Sequence, residues 1–335
     1  MSKRSSLPSA HDVARLAGVS QAAVSRAFTP GASIAAGTRD KVVAAAKALG
    51  YRPNLLARSL IKGRSGIVGV VIGNPRYPFF QAALDALSTR LSQVGKHILV
   101  YTADENAIVD AHVEELLKYR VDAVLLLAAS LSPAMTDQCR AEDVPVISFG
   151  RSPPPPASLP SVVGDNAAGA AKIAEHMLEQ GYRRLALIAG TPDTSSSRER
   201  EAGFVEHLVA EGLPPPERAV GYFRREAAFA AARSLLARRP RPEAIFCAND
   251  DMALAAIEVA RFEFGLEIGR ELGVAGFDDI EQASWRSFDL TTYSLPVMPM
   301  VDLTVGILLD EAQPALAAPA VVQGALLVRG STQRS

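Results

Sequence analysis

The chain has 335 residues, 48% hydrophobic and 21% charged, with a net charge of −1. That length predicts two or three domains, at roughly 100–200 residues each. The longest apolar runs fall short of the ~18 residues a membrane helix needs, so no transmembrane helix is expected. The basic start, MSKRSSLPSA, lacks the apolar core of a secretory signal, so a cytoplasmic location is expected. The two cysteines, Cys139 and Cys247, stand far apart, and neither a zinc site nor a structural disulfide is expected.

Charge is divided unevenly. Residues 1–65 carry eleven Lys or Arg against two acids, Asp12 and Asp40, a net of +9, while the remainder carries 24 bases and 34 acids, a net of −10. A small basic module on a larger acidic body suits a protein that rests one end on a polyanion.

Helical periodicity runs through the basic segment. Ser9 and Asp12 form a capping-box variant that opens a first helix, with Val13, Leu16 and Ala17 on its apolar face. Gly18 permits a tight turn, Val19 packs inward, and Ser20 caps a second helix over residues 21–27. Helix, Gly-Val-Ser, helix is a helix-turn-helix pattern. Gln21, Ala22 and Arg26 are its exposed positions: Gln pairs with adenine, Arg with guanine, and an alanine methyl meets a thymine methyl. A third helix spans about 38–49, with Val42, Val43, Ala46 and Leu49 facing the other two. Pro53 and Asn54 then stop one element and begin another. Residues 55–60 make only two turns, too few for an isolated helix to be stable in water.

From residue 66 the pattern alternates. Apolar strands are predicted at 67–72, 98–101, 123–128, 146–149, 185–189, 244–248 and 273–277, with helices at 79–94, 108–119, 167–180, 199–211, 227–237 and 252–264 between them. Continuous apolar strands alternating with helices predict parallel sheets covered on both faces. The Pro-rich stretch 152–160 reads as a loop between two lobes. Two such lobes bind ligands in the crevice at the carboxyl ends of their strands. Phosphate-loop, dinucleotide, zinc-hydrolase and serine-hydrolase motifs are all missing, and the five histidines have no metal-ligand spacing, so no enzyme, cofactor or metal is expected.

The sequence resembles the LacI/GalR family of bacterial repressors along nearly its whole length. The resemblance rests on Asp12-Val13-Ala14, Ala17-Gly18-Val19-Ser20, Val24-Ser25-Arg26, Thr38-Arg39, Gly50-Tyr51-Arg52-Pro53-Asn54 and Ala57-Arg58-Ser59-Leu60. It implies an all-α helix-turn-helix headpiece (1–50), a hinge segment (51–65), and an α/β two-lobed domain (66–335) of the periplasmic-binding-protein type for effector binding and dimerisation. It implies DNA contacts from Ser20, Gln21, Ala22, Ser25 and Arg26, and from Asn54, Ala57 and Leu60 in a hinge that folds on the operator. Leu60 would act there as an apolar wedge in the minor groove.

The same resemblance implies an effector site. Tyr77-Pro78-Phe79-Phe80 matches an Asn-Pro-Phe-Phe type loop, and Asp165-Asn166 opens the second lobe. Arg200, Phe223, Asn249 and Asp278 match ligand-facing positions, with Phe79 and Phe80 as an aromatic wall. Arg with Asp above an aromatic face suits a polyol. Structural alternatives stand beside these: Asp278 and Asp279 capping a turn, Asn249 capping a helix, Arg200 in a surface ion pair, and one of Phe79 and Phe80 in the core.

There are departures. Thr29 replaces a usual Asn, Ala35 a capping Ser, and Gly37 weakens the start of the third helix. Gly150 and Leu295 remove polar partners from the cleft, while Arg151, Arg198 and Arg286 would add positive charge. A neutral sugar and a sugar acid are therefore comparably expected, a purine less so. The implied protein is a repressor that binds a palindromic operator on double-stranded DNA as a homodimer and answers to a small-molecule effector, with no membrane role. No heptad tail predicts a C-terminal coiled-coil tetramer. Control by a partner protein, or sugar binding without a DNA role, are the other readings.

Overall fold

The computed structural model describes residues 8–29, 31–52, 64–104, 108–153, 159–310 and 318–334. It divides into two units, Met1–Ser65 and Gly66–Ser335.

In the first unit α1 (Ala10–Ala17), α2 (Gln21–Ala27) and α3 (Ala36–Leu49) enclose a small core of Val13, Ala14, Val24, Ala27, Val42, Ala45 and Ala46. The capping box forms: Ser9 Oγ accepts from the Asp12 N–H at 3.3 Å, and the Asp12 carboxylate accepts from the Ser9 N–H at 3.0 Å. Gly18 ends α1 at φ 65°, and Ser20 Oγ accepts from the Ala23 N–H at 3.2 Å to cap α2. Two core assignments are corrected. Leu16 and Val43 are exposed. At 100° per residue each lies more than a quarter turn from the centre of its helix's buried stripe, which Ala14 and Ala45 complete. α3 begins at Ala36, two residues earlier than expected, and its N-cap Ala35 makes no side-chain bond. The Arg39 guanidinium instead braces the preceding loop, donating to the Ala27 carbonyl at 2.7 Å and the Ala32 carbonyl at 3.3 Å.

The second unit holds two six-stranded sheets. The first lobe contains β1 (Ile67–Ile72), α4 (Pro78–Gln93), β2 (His97–Thr102), α5 (Asp110–Lys118), β3 (Ala123–Leu127), α6 (Pro133–Ala141), β4 (Val146–Phe149) and β5 (Ser161–Gly164). The second contains α7 (Asn166–Glu179), β6 (Leu185–Ala189), α8 (Ser195–Ala210), β7 (Glu217–Val220), α9 (Arg225–Leu236), β8 (Ala244–Cys247), α10 (Asp250–Phe264), β9 (Gly273–Asp278) and β10 (Thr291–Ser294). The chain then returns to the first lobe with α11 (Val297–Leu309), which packs on α4, and β11 (Ala320–Val322), and ends in the second with β12 (Ala325–Leu327). Strand orders are β11-β5-β4-β3-β1-β2 and β12-β10-β9-β8-β6-β7. All neighbours are parallel except β10 and β12.

The Pro-rich stretch does not separate the lobes. β5 follows it and pairs with β4 in the same sheet, so the chain changes lobe only after Gly164. Crossings fall at 164–166, 294–297 and 322–325, and Asp165 ties them together. Its carboxylate accepts from the Tyr293 hydroxyl at 2.8 Å and the Gly324 N–H at 3.1 Å, and its own N–H donates to the Val322 carbonyl at 3.1 Å.

α7 and α8 pack with a close approach at Gly203, where a Cβ would lie 2.1 Å from the Ala167 carbonyl oxygen. Gly203→Ala should therefore destabilise the second unit by about 1–3 kcal/mol through overpacking. Gly37→Ala, which meets nothing within 4 Å, should stabilise the first unit by up to about 1 kcal/mol. Urea unfolding followed by circular dichroism checks both signs.

Candidate functional site

In each lobe the strand order reverses beside the first strand, between β1 and β3 and between β6 and β8. Helices leave on opposite faces at such a point, and the loops after the strands open a crevice. The chain after β1 delivers Asn74 to Phe80, and the turn after β4 delivers Gly150 and Arg151. From the other side, the turn after β8 delivers Asn249, the turn after β7 Phe223, and β9 ends on Asp278. α8 contributes Arg200 and Ser196. These side chains line one cavity of about 30 Å³.

Arg200 and Asp278 form its polar centre. They are 5% and 6% exposed. Arg200 Nη2 donates to Asp278 Oδ1 at 2.8 Å, Nη1 to the Ala248 carbonyl at 2.6 Å, and Nε to Asn166 Oδ1 at 2.9 Å. Its guanidinium also lies over the Phe277 ring, 3.8 Å from the centroid. The ion pair is buried, not a surface pair. The other oxygen of Asp278 accepts from the Tyr77 hydroxyl at 2.5 Å, a bond from the first lobe. Burial first, then the Asp278 and Asp250 charges, pushes the Tyr77 phenol pKa well above its ordinary value, so it stays a donor.

Local strain shapes the lining. Tyr222, Phe223, Asp278 and Asp279 have φ of 55°, 57°, 100° and 57°. Such left-handed backbone at non-glycine residues costs about 1–3 kcal/mol each. Asp250 supports the turn after β9. Its fully buried carboxylate accepts from the Thr292 hydroxyl at 2.6 Å and the Ile280 N–H at 2.8 Å, and burial pushes its pKa up. Gly190 makes room for Phe223, whose ring would lie 2.1 Å from a Cβ there. Gly150, at φ 83°, likewise admits the Phe80 ring, which fills space that a polar side chain would need.

All six expected cleft residues, Phe79, Phe80, Arg200, Phe223, Asn249 and Asp278, line this cavity. Phe79 is also core, packed on Phe149 with ring centroids 6.3 Å apart. Asn249 has a second role, since its side-chain oxygen caps α10 by accepting from the Met252 N–H at 3.1 Å. Asp279 turns away and pairs with Arg329 at 2.8 Å. Of the three arginines expected to add charge, Arg151 lines the cavity and Arg198 and Arg286 do not. Sequence reasoning missed Tyr77 as a polar contributor. Its one signal was a tyrosine in a helix N-cap position that favours Asn, Asp, Ser or Thr. A wider groove of about 1150 Å³ adjoins the cavity through Asn74, Tyr77 and Phe223.

In the first unit, Ser20, Gln21, Ala22, Ser25 and Arg26 are exposed, while Val24 and Ala27 turn inward. Positions 21, 22, 25 and 26 share one helix face. Asn54, Ala57 and Leu60, and most of the 51–65 hinge, lie outside the described residues.

A helix-turn-helix unit followed by a two-lobed α/β domain with a polar cleft defines a class: DNA-binding regulators whose second domain has the build of a periplasmic binding protein. Residues 9–54 match the family model for bacterial regulatory proteins of the lacI family, and residues 174–332 the model for a periplasmic binding protein-like domain. The chain is 31% identical to the HTH-type transcriptional regulator CelR of Thermobifida fusca over 97% of its length and 98% of that protein. It is 30% identical to the ribose operon repressor of Escherichia coli (strain K12), covering 91% of this chain and 93% of that one. Among solved structures, a lac repressor dimer bound to operator and the anti-inducer ONPF superposes with a TM-score of 0.86 at 27% identity, covering 97% of this chain and 99% of that one. A CelR–cellobiose complex gives 0.71 at 29%, with the same coverage. The chain belongs to the lacI family of bacterial transcriptional regulators.

Removing one partner of a buried ion pair strands the other, at a cost of about 3–5 kcal/mol. Arg200→Ala, which also strands the Asn166 and Ala248 oxygens, should lower the unfolding free energy of the second unit by that amount. Calorimetry checks it, and a loss under about 1 kcal/mol, the range of an exposed pair, would contradict the buried geometry.

Proposed function

We propose that the chain is a repressor that binds a palindromic operator as a homodimer and answers to a sugar or sugar acid held between its lobes. The headpiece (1–50) reads DNA through Ser20, Gln21, Ala22, Ser25 and Arg26, with Asn54, Ala57 and Leu60 of the hinge (51–65) completing the contact. The domain from 66 to 335 binds effector through Phe79, Phe80, Arg200, Phe223, Asn249 and Asp278. The protein acts in the cytoplasm and catalyses no reaction, in keeping with relatives that are regulators.

The observation that carries this reading is the buried Arg200–Asp278 pair, flanked by Phe80 and Phe223 where two lobes meet. A guanidinium fork and a carboxylate beside aromatic faces recognise vicinal hydroxyls. Support for the partners comes from the lac repressor dimer on its operator and from CelR with cellobiose.

A ligand shifts an equilibrium only through differential affinity for its two states. Groups from both lobes surround this cleft, so lobe angle and ligand affinity are linked, with a coupling of about 1–3 kcal/mol typical of such sites. Selection from random DNA should return an inverted repeat. Thermal-shift screening of sugars and sugar acids should then find a stabilising ligand that changes operator affinity in the native chain and not in Asp278→Ala. A non-palindromic consensus would contradict the dimer. A normal response in Asp278→Ala would move regulation to a partner protein.

A further inference from the structure

Tyr77 sits at the N-cap of α4 and makes no capping bond there. Its side chain crosses to the other lobe, where the hydroxyl donates to Asp278 Oδ2 at 2.5 Å and approaches the Phe277 carbonyl at 3.5 Å. Asp278 Oδ1 is already taken by Arg200. Tyr77 lines both the inner cavity and the outer groove, so it stands in the wall between them. The inner space of about 30 Å³ is that of a water molecule or two, far less than a sugar ring.

We infer that Tyr77 is a latch that stands in for an effector hydroxyl. By donating to the free oxygen of Asp278 it holds the two lobes together, beside the Ser152 N–H that donates to Ser195 Oγ at 2.8 Å. An entering effector must replace that bond with a hydroxyl of its own. The inference rests on the cleft's being the effector site, and it narrows the effector to one presenting a hydroxyl donor at this point. A ligand whose polar groups are acceptors alone leaves Asp278 to Tyr77. The latch also explains why an N-cap position is given to a residue that cannot cap: the phenol's reach serves the lobe contact instead of the helix.

Hydrogen exchange on the full chain, without effector or DNA, tests the latch. Tyr77→Phe removes one oxygen and keeps the ring. Tyr182→Phe is the control, since Tyr182 is also buried and donates to the Gly269 carbonyl at 2.8 Å, away from the cleft. Tyr77→Phe should speed exchange at least tenfold for the amides bordering the cleft, at Phe80 and Gln81 on one side and Ile280 and Ala283 on the other. Strand amides such as Val70 and Ala275 should keep their protection, and Tyr182→Phe should leave the cleft amides unchanged. Unaltered exchange at the cleft in Tyr77→Phe overturns the inference. So does a uniform rise across cleft and strands, which would make Tyr77 a plain stability residue. Because the measurement uses neither operator nor effector, its failure would leave the repressor reading intact.

Discussion

Asp278 brings a carboxylate into a buried place, and the cleft is organised around keeping it partnered. Burying a carboxylate costs several kcal/mol even after relaxation, so such groups persist only with charge and hydrogen bonds supplied. Arg200 supplies the charge from α8, and Tyr77 supplies a hydrogen bond from the other lobe. Arg200 is held in turn by the Asn166 side chain and the Ala248 carbonyl, so its fork is fixed before any ligand arrives. That fixity lowers the ordering cost of binding. The strained turn that presents Asp278 is secured by Asp250 beneath it, and Gly276 is required there because a Cβ would meet Asp250 Oδ1 at 2.1 Å.

The second organising group is Asp165, which joins the three crossings between lobes. Glycines make these crossings close. A Cβ at Gly324 would lie 2.3 Å from the Ser294 carbonyl oxygen, and one at Gly164 would lie 2.4 Å from Leu295. The lobes are thus fastened at the crossings and held across the cleft by Tyr77. Across the cleft the Ser152 N–H also donates to Ser195 Oγ at 2.8 Å, so two breakable hydrogen bonds face one fixed edge, a bistable element of the kind that ligand switches require.

What the sequence made legible follows from how local each interaction is. The caps at Ser9 and Ser20 were readable because donor and acceptor lie three residues apart. The helix faces were readable only to about a quarter turn, so Leu16 and Val43 were placed inward. The strands after which the cleft loops fall were readable from their apolar runs, and the resemblance supplied Asn249 and Asp278 at strand ends and Arg200 on a helix between them. The change of lobe after Gly164 came only from the resemblance, which opened the second lobe at Asp165-Asn166; the local pattern pointed instead to the conspicuous prolines, because the true crossing depends on β5 pairing with β4. The return of α11 and β11 to the first lobe was equally hidden, since nothing local encodes which sheet a strand joins. Tyr77 and Asp278 are 201 positions apart, and no periodicity connects them. The substitutions Gly150 and Leu295, read as losses of polar partners, are packing features as well: one admits Phe80 and the other fills space against Gly164.

The central claim is that Asp278 couples the lobes directly. A double-mutant cycle of Tyr77→Phe and Asp278→Asn, read by urea unfolding of the effector-free chain, isolates that coupling. Residues in direct contact within one hydrogen-bond network show interaction energies of about 0.5–3 kcal/mol. The structure predicts a value above about 1 kcal/mol, as for hydrogen bonds to a charged group. Additive effects, within about 0.3–0.5 kcal/mol, would mean that the two side chains do not hold the lobes together and would contradict the account.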